Sequence, residues 1–211
     1  MDSRINADKN RKDKIPYDHY RNLFKNFDPG EMAENTGCTF NKDAGEISVK
    51  LMGQDLTVKY PSGDVYSKNG TEIESYPPKT LILRYLIHGR GVKPSDKYIT
   101  YREINGGNVY YNNFYGRCIL RLSRKFGGDI EKFRNAFEKL GAEKVNMGDA
   151  AYKFQFLNNI YIIFAIWEGD EEFPPSSQIL FNKNVLFYFT AEDLAVIGDV
   201  AIGSVIKLAF L

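Results

Sequence analysis

The sequence predicts an α+β fold in which antiparallel sheets have helices packed around them in a single globular domain. Strand patterns and helix patterns come in separate runs rather than in strict βαβ alternation, which favours this class. The chain has 211 residues, of which 43% are apolar and 14% aromatic, so it is long and apolar enough to bury a core. Because no internal repeat or low-complexity linker divides the sequence, one domain is expected.

The N-terminal segment predicts a disordered charged tail followed by a helix. Residues 1–14, MDSRINADKNRKDK, lack the apolar core of a signal peptide. Pro16 suits the first turn of a helix, where its missing N–H is not needed. A DPG sequence then ends this helix. The folded domain is therefore expected to span residues 15–211.

Residues 38–67 predict an antiparallel meander with one buried face. Apolar residues alternate with polar ones in EISVKLM and DLTVKY, and DAG, GQ and PSG supply the turns. The next segment, PPKTLILRYLIHG at residues 77–89, is apolar almost all round. We expect it to form a central, buried helix.

The second half predicts a loop, two helices, several strands and a last helix. Residues 98–113 have the composition of a loop, and a helix over 115–126 and another after Asp129 follow. AYKFQFL and IYIIFAIW predict a β-hairpin, and QILF and NVLFYF predict two more strands. Thr190, with an acidic residue three positions later, marks the start of the last helix.

Composition argues against several classes of partner and site. The net charge of +1 lacks the basic excess of a nucleic-acid binder. The apolar segment LAVIGDVAIGSVIKLAFL carries Asp199 and Lys207, which argues against a membrane span. Cys38 and Cys118 form no CxxC pair, so a cluster or zinc site held by thiolates is not expected, and few cysteines fit a reducing cytoplasm.

The common catalytic motifs are absent from the sequence. It contains no GxxxxGK[ST] phosphate loop, no GxGxxG, no GxSxG and no HExxH. The two histidines, His19 and His88, are too few for a three-histidine metal site. Whether the protein is an enzyme therefore stays open at this point.

Arg84 and His88 are the strongly polar groups inside the apolar helix at 77–89. They lie four residues apart and so share one side of the helix. In one interpretation His88 interacts with the carbonyls of the last helical turn. In the other, Arg84, His88 and Arg90 line a polar pocket for an anionic group.

Arg117, Arg121 and Arg124 fall at positions i, i+4 and i+7 of a predicted helix, with Lys125 beside them. This basic stripe lies opposite the apolar one. It is either a solvated face or a set of guanidinium groups that hold carboxylates, of a ligand or of the acidic loop below.

The acidic loop is WEGDEEF, residues 167–173, at the end of an apolar strand. Three interpretations are open: a divalent-metal site, a structural turn, or a clamp for a ligand or partner. Neighbouring side chains spread to opposite sides of a strand, so Glu168 and Asp170 are the pair that can face inward together. Trp167 and Phe173 favour the clamp, because aromatic walls with a few polar groups are typical of small-molecule pockets.

We therefore expect a pocket built from the tyrosine loop, the start of the Arg117 helix and the acidic loop. The arginines would bind acidic groups, the carboxylates would accept hydrogen bonds and the aromatic rings would provide stacking surface. The candidate ligand-binding residues are Arg84, His88, Tyr101, Arg102, Tyr115, Arg117, Trp167, Glu168, Asp170 and Phe173.

Several segments together resemble a known prokaryotic family. TLILRYLIHGRG, YITYREINGGNVYYNNF, GDAAYKFQFL and WEGDEEFPPSSQILF are similar, in this order, to the domain of unknown function 3786 family. The resemblance extends from about residue 17 to the end. It implies a setting in anaerobic bacteria and archaea, where some members resemble fusions to a cysteine-rich iron–sulfur module.

The resemblance thereby implies a link to corrinoid or one-carbon metabolism. This chain departs from the fused members because its N-terminal stretch has no cysteine. The expected function is a cytoplasmic accessory protein that binds a small polar molecule, with a corrinoid as the implied cofactor, or a cofactor-bearing protein partner. The alternatives are an enzyme that uses Glu168, Asp170 and Glu171 for acid–base or metal chemistry, and a protein–protein interaction module.

Overall fold

The structure, a computed structural model, describes residues 2–210 and the side chains of residues 12–210. The chain divides into two compact units, residues 1–92 and residues 93–211. Each unit combines antiparallel strands with helices, which confirms the α+β class.

The first unit is the predicted meander with helices before and after it. Its elements are α1 (Asp2–Phe24), α2 (Pro29–Thr36), β1 (Thr39–Asn41), β2 (Glu46–Leu51), β3 (Gln54–Lys59), β4 (Val65–Ser67) and α3 (Tyr76–His88). The four strands pair in sequence order and every pair is antiparallel. Met52 and Gly53 close the β2–β3 hairpin with positive φ at both positions, as a two-residue turn of this kind requires.

The first helix differs from its prediction. The sequence places its start at Pro16, whereas α1 spans Asp2–Phe24 and has Pro16 in its interior. The predicted disordered tail at residues 1–14 falls mostly on residues whose side chains lie outside the described part of the chain. That tail, and the domain boundary at residue 15, stay predictions.

Helix α3 is the buried centre of the first unit, as its composition predicts. Its Lys79 is 3% exposed, and the ammonium group pairs with Glu72 at 3.1 Å. The same ammonium lies 4.4 Å from the ring centroid of Tyr17 and 4.9 Å from that of Tyr76. Burial of this charge is therefore compensated by one carboxylate and two aromatic faces.

The second unit is an antiparallel sheet with helices packed on it. Its strands are β5 (Tyr98–Thr100), β6 (Glu143–Lys144), β7 (Ala150–Leu157), β8 (Ile160–Trp167) and β9 (Ser176–Asn182), paired in the order β6-β7-β8-β9-β5. Its helices are α4 (Gly107–Phe114), α5 (Leu120–Phe126), α6 (Ile130–Lys139) and α7 (Ala191–Ala209). Tyr115–Ile119 form a π-helical turn between α4 and α5, and 3₁₀ turns span Tyr101–Glu103 and Lys183–Phe187.

Two predictions in the second unit are wrong. The segment 98–113 is not a loop, because β5, a 3₁₀ turn and α4 occupy it; the positive φ of Gly106 lets the chain turn into α4. The segment NVLFYF is not a strand. The side chain of Asn182 accepts a hydrogen bond from the backbone N–H of Asn184, and this local bond starts a 3₁₀ turn.

Aromatic rings fill the space between α6 and the sheet. Phe137 stacks on Tyr152 with centroids 5.2 Å apart, and it also contacts Phe133, Phe154 and Phe164. All five residues are buried.

Within the described residues, no helix combines the length and apolar character needed to cross a membrane.

Helix α7 packs closely against the π-helical turn. The predicted capping box of Thr190 and Asp193 starts this helix. Two turns later, a Cβ added to Gly198 would lie 2.8 Å from Sγ of Cys118 and 3.4 Å from the ring of Phe114. Only a residue without a side chain fits this position, so Gly198 sets the distance between the two helices.

We expect Gly198→Ala to lower the free energy of unfolding by about 1–3 kcal/mol, because the new methyl group overpacks against Cys118. Gly203→Ala on the same helix is the matched control. Its nearest neighbour would be Nη2 of Arg121 at 3.7 Å, an ordinary contact. Alanine favours a helix over glycine by about 0.8–1 kcal/mol, so this variant should be more stable than the parent.

Urea unfolding followed by circular dichroism measures both effects. Adding Cys118→Ala to Gly198→Ala should recover part of the loss, because the smaller side chain leaves room for the methyl group. Equal stability of the two glycine variants would contradict the close approach.

Candidate functional site

Arg84 and His88 both face α1 within the first unit. The Arg84 guanidinium carbon lies 4.8 Å from the ring centroid of Tyr20, and the His88 ring meets the same tyrosine edge-on at 6.0 Å. Both side chains are half-buried. The two residues therefore share one side of α3, as predicted, and the structure gives them an aromatic neighbour in their own unit.

The residues of the tyrosine loop have different surroundings. Tyr101 is 1% exposed, its ring stacks on Phe114 at 3.9 Å, and its hydroxyl donates to the Ala191 carbonyl at 2.7 Å. Burial raises the pKa of Tyr101 to about 12. Tyr101 therefore fixes the start of α7 from within the core.

Arg102 and Tyr115 lie on the surface beside Tyr111. The Arg102 guanidinium carbon is 3.5 Å from the Tyr111 ring centroid, and the rings of Tyr111 and Tyr115 are 5.9 Å apart. Residues four apart on a helix stack in this way because they share a face. The structure thus brings these two predicted residues together through a tyrosine that the prediction omitted.

Arg117 binds a carboxylate, but not one of the acidic loop. Its Nε and Nη2 donate to Oδ2 of Asp199 at 3.1 and 2.8 Å. Nη1 of Arg121 donates to Oδ1 of the same residue. Asp199 on α7 therefore holds two arginines of the basic stripe, and the hypothesis of a bridge from this stripe to the acidic loop is replaced by this pairing.

Asp170 organises the acidic loop as a turn. Its Oδ1 accepts hydrogen bonds from the backbone N–H groups of Phe173 and Glu172 at 2.7 and 2.9 Å, and its own N–H donates to the Phe173 carbonyl at 2.9 Å. These N–H donors lower the pKa of Asp170 below its ordinary value. The geometry agrees with the structural-turn interpretation of the loop.

Two further loop residues, Trp167 and Glu168, contact the neighbouring β6–β7 connection. The backbone N–H of Glu168 donates to Oδ2 of Asp149 at 2.8 Å. A Cβ added to Gly148 would lie 3.1 Å from the indole of Trp167, so that segment packs directly on the ring. The side chain of Phe173 is 67% exposed.

The tyrosine loop and the acidic loop adjoin strand β9 at different positions. Thr100 pairs with Leu180 on β9, and Trp167 pairs with Ser176 from the other side of that strand. Four residues along the strand and two strand spacings across it put Thr100 and Trp167 roughly 16 Å apart. The two loops therefore adjoin β9 from opposite sides and at different positions along it.

A different concave surface of the second unit brings positive charge together. We call it the basic cleft; it has a volume of about 390 Å³ and is lined by Gly116, Arg121, Arg124, Lys125 and Ile206. A Cβ added to Gly116 would meet no atom within 4 Å, so the backbone there is open to a ligand. The cleft adjoins the π-helical turn, a feature that occurs often at functional sites.

The prediction found part of the basic cleft and missed the rest. The spacing of Arg117, Arg121 and Arg124 identifies the stripe, although of these only Arg117 is among the candidate ligand-binding residues. Gly116 and Ile206 were missed. The available signal was Asp199, an acidic residue within the apolar stretch that follows the first turn of α7, because such a residue needs a partner on the element that it faces.

The two thiols do not have the character of nucleophiles. Burial raises the pKa of Cys118 to about 12 and that of Cys38 to about 11. Both are therefore protonated near neutral pH, and a thiol is a poor nucleophile in that form. Among the residues that the structure describes, no three His, Cys, Asp or Glu side chains converge as metal ligands would.

We expect the carboxyl of Asp170 to titrate below an Asp in an unfolded peptide of the same loop sequence, because two backbone N–H groups stabilise its charged form. A lowered folded pKa contributes stability above the unfolded pKa, and this is lost as pH falls through the folded value. Carbon-13 NMR titration of labelled aspartate measures both pKa values. Equal values in protein and peptide would contradict the turn geometry, and Asp170→Asn should abolish the assigned signal.

Comparison with known proteins gives a family and no annotated relative. No curated protein and no solved structure matches the chain. The family described as Domain of unknown function (DUF3786) matches residues 28–204, which is most of the chain. The chain therefore belongs to the DUF3786 family.

Proposed function

We propose that this protein is a binding protein that holds a small anionic molecule, or the anionic group of a larger one, in the basic cleft. The observation that carries this proposal is the convergence of Arg121, Arg124 and Lys125 around the open backbone of Gly116. Guanidinium and ammonium groups recognise carboxylates and phosphates by charge-assisted hydrogen bonds. A concave surface lined in this way suits a compact anion.

The charge balance of the cleft supports an anionic ligand. Asp199 is the carboxylate that Arg117 and Arg121 contact. One carboxylate neutralises one of these two guanidinium groups, while Arg124 and Lys125 add two further positive charges. The bridge also holds Arg121 in place, so part of the cost of ordering that side chain is met before a ligand arrives.

The geometry supports binding better than catalysis. The enzyme alternative, with Glu168, Asp170 and Glu171 as acid–base or metal-binding groups, needs a carboxyl with a raised pKa in a cleft. Asp170 instead has a lowered pKa and accepts hydrogen bonds within its own turn. The arginines and the lysine of the basic cleft suit the recognition of anions rather than proton transfer.

The setting that we propose is the cytoplasm of an anaerobic prokaryote. The small number of cysteines and the family resemblance support this setting. The same resemblance makes corrinoids the first ligands to test, and cobalamin carries a phosphodiester that cobinamide lacks. A cofactor-bearing protein partner that presents an anionic group to the cleft is the alternative, as expected for an interaction module.

We expect Arg124→Gln and Lys125→Gln each to raise the Kd for inorganic phosphate about tenfold, since a hydrogen bond to a charged group contributes about 1.5–3 kcal/mol. Isothermal titration calorimetry at low ionic strength measures the Kd. Lys183→Gln is the matched control, because it removes the same charge from an exposed site outside the cleft. Equal weakening by all three variants would indicate a general charge effect and contradict a site.

Asp199→Asn is expected to act in the opposite direction. This change removes the carboxylate charge but keeps a side-chain oxygen that can accept the hydrogen bonds of Arg117 and Arg121, so both arginines stay in place with an unneutralised positive charge beside the cleft. The Kd for inorganic phosphate should fall about threefold, while stability changes by about 1 kcal/mol or less because the pair is partly exposed. Weaker phosphate binding in this variant would count against the proposed site.

The corrinoid version has its own test. Cobalamin should bind more tightly than cobinamide if the phosphodiester occupies the cleft, and Arg124→Gln should remove the difference. Equal binding of the two corrinoids would contradict the proposal that a corrinoid phosphodiester occupies the cleft. Phosphate binding itself is tested separately by the Arg124, Lys125 and Asp199 variants.

A further inference from the structure

One edge of the basic cleft is apolar and aromatic. Ile206 of α7 lines the cleft, and Phe210 follows it one helical turn later. Phe210 is 53% exposed. The edge therefore offers apolar area next to the cations.

Two lysines hold the Phe210 ring at this position. Nζ of Lys125, a residue that lines the cleft, lies 4.0 Å from the ring centroid, and Nζ of Lys132 lies 5.4 Å from it. An ammonium group is attracted to the face of an aromatic ring. Nζ of Lys139 also donates to the carbonyl of Leu208 at 3.2 Å, which secures the backbone just before the ring.

Along the side of helix α7 that faces the cleft, the residues change from charged to apolar. Asp199 contacts Arg117 and Arg121, and a Cβ added to Gly203 would lie 3.7 Å from Nη2 of Arg121. Ile206 and Phe210 follow along the helix. Successive positions three or four residues apart lie on one side of a helix. A ligand placed on the arginines therefore has apolar surface beside it in the direction of Phe210.

We propose that the ligand of the basic cleft is an amphipathic anion: a compact phosphate or carboxylate with a flat aromatic or other apolar body. The anionic group binds Arg121, Arg124 and Lys125, and the body packs on Ile206 and Phe210. This inference rests on the proposed function and narrows its ligand class. Flat rings gain from stacking on an aromatic side chain in addition to the area that they bury.

Two phosphate monoesters that share the anionic group and differ in the apolar group distinguish the contributions of these two parts of the ligand. Phenyl phosphate should bind about tenfold more tightly than methyl phosphate, a difference of about 1.4 kcal/mol. Phe210→Ala should remove most of this advantage, measured as the ratio of the two dissociation constants, because any change at Lys125 affects both esters alike. Phe210→Leu, which keeps apolar volume without a flat ring, should give an intermediate preference for phenyl phosphate. This variant replaces Phe210→Ala in the test if the alanine variant does not fold.

Phe173→Ala is the matched control, because it removes another exposed phenylalanine, from the acidic loop of the same unit. It should leave both dissociation constants unchanged. Equal binding of the two esters by the parent protein would overturn the inference while leaving anion binding in place. Failure of both esters to bind would overturn the proposed function itself, and a preference for phenyl phosphate that survives both Phe210 variants would overturn the assignment to Phe210.

Discussion

The close approach of α7 to the π-helical turn at Gly198 is the constraint on which the candidate site depends. At this point the absence of a side chain lets Cys118 and Phe114 pack against the helix backbone. The next residue, Asp199, then lies within reach of Arg117 and Arg121. A wider helix separation would leave the carboxylate and both guanidinium groups in water, where an exposed pair contributes little.

The same contact orders a larger part of α7. The Tyr101 hydroxyl binds the carbonyl of Ala191, the Cys118 thiol donates to the carbonyl of Ala195 at 3.5 Å, and the arginines bind Asp199. These three positions are four residues apart and share one side of the helix. Tyr101 and Cys118 therefore help to place α7, which supplies Ile206 of the basic cleft.

The fold class and most elements could be predicted because they follow from local patterns. Alternation identifies the meander, and Thr190 with Asp193 identifies the start of α7. The failures come from interactions that a pattern does not contain. The side chain of Asn182 accepts a hydrogen bond that starts a 3₁₀ turn in NVLFYF. In the acidic loop, the carboxylate of Asp170 accepts hydrogen bonds from backbone N–H groups of the same loop. The basic cleft was predictable only in part, since its walls come from α5 and α7, about 80 residues apart in sequence.

The π-helical turn has a consequence for how this surface tolerates change in chain length. Each residue of an α-helix advances the side chains by about 100°. The backbone of Tyr115–Ile119 sets the rotational phase of everything that follows it up to Phe126. A π-helical turn holds about one residue more than an α-helical turn, so deleting one residue there would let it close as a regular α-helical turn. Inserting a further residue would instead turn Arg121, Arg124 and Lys125 away from α7 together, whereas replacing any one of them removes a single charge. An insertion at this turn would thus disturb the site more than the loss of any one cation.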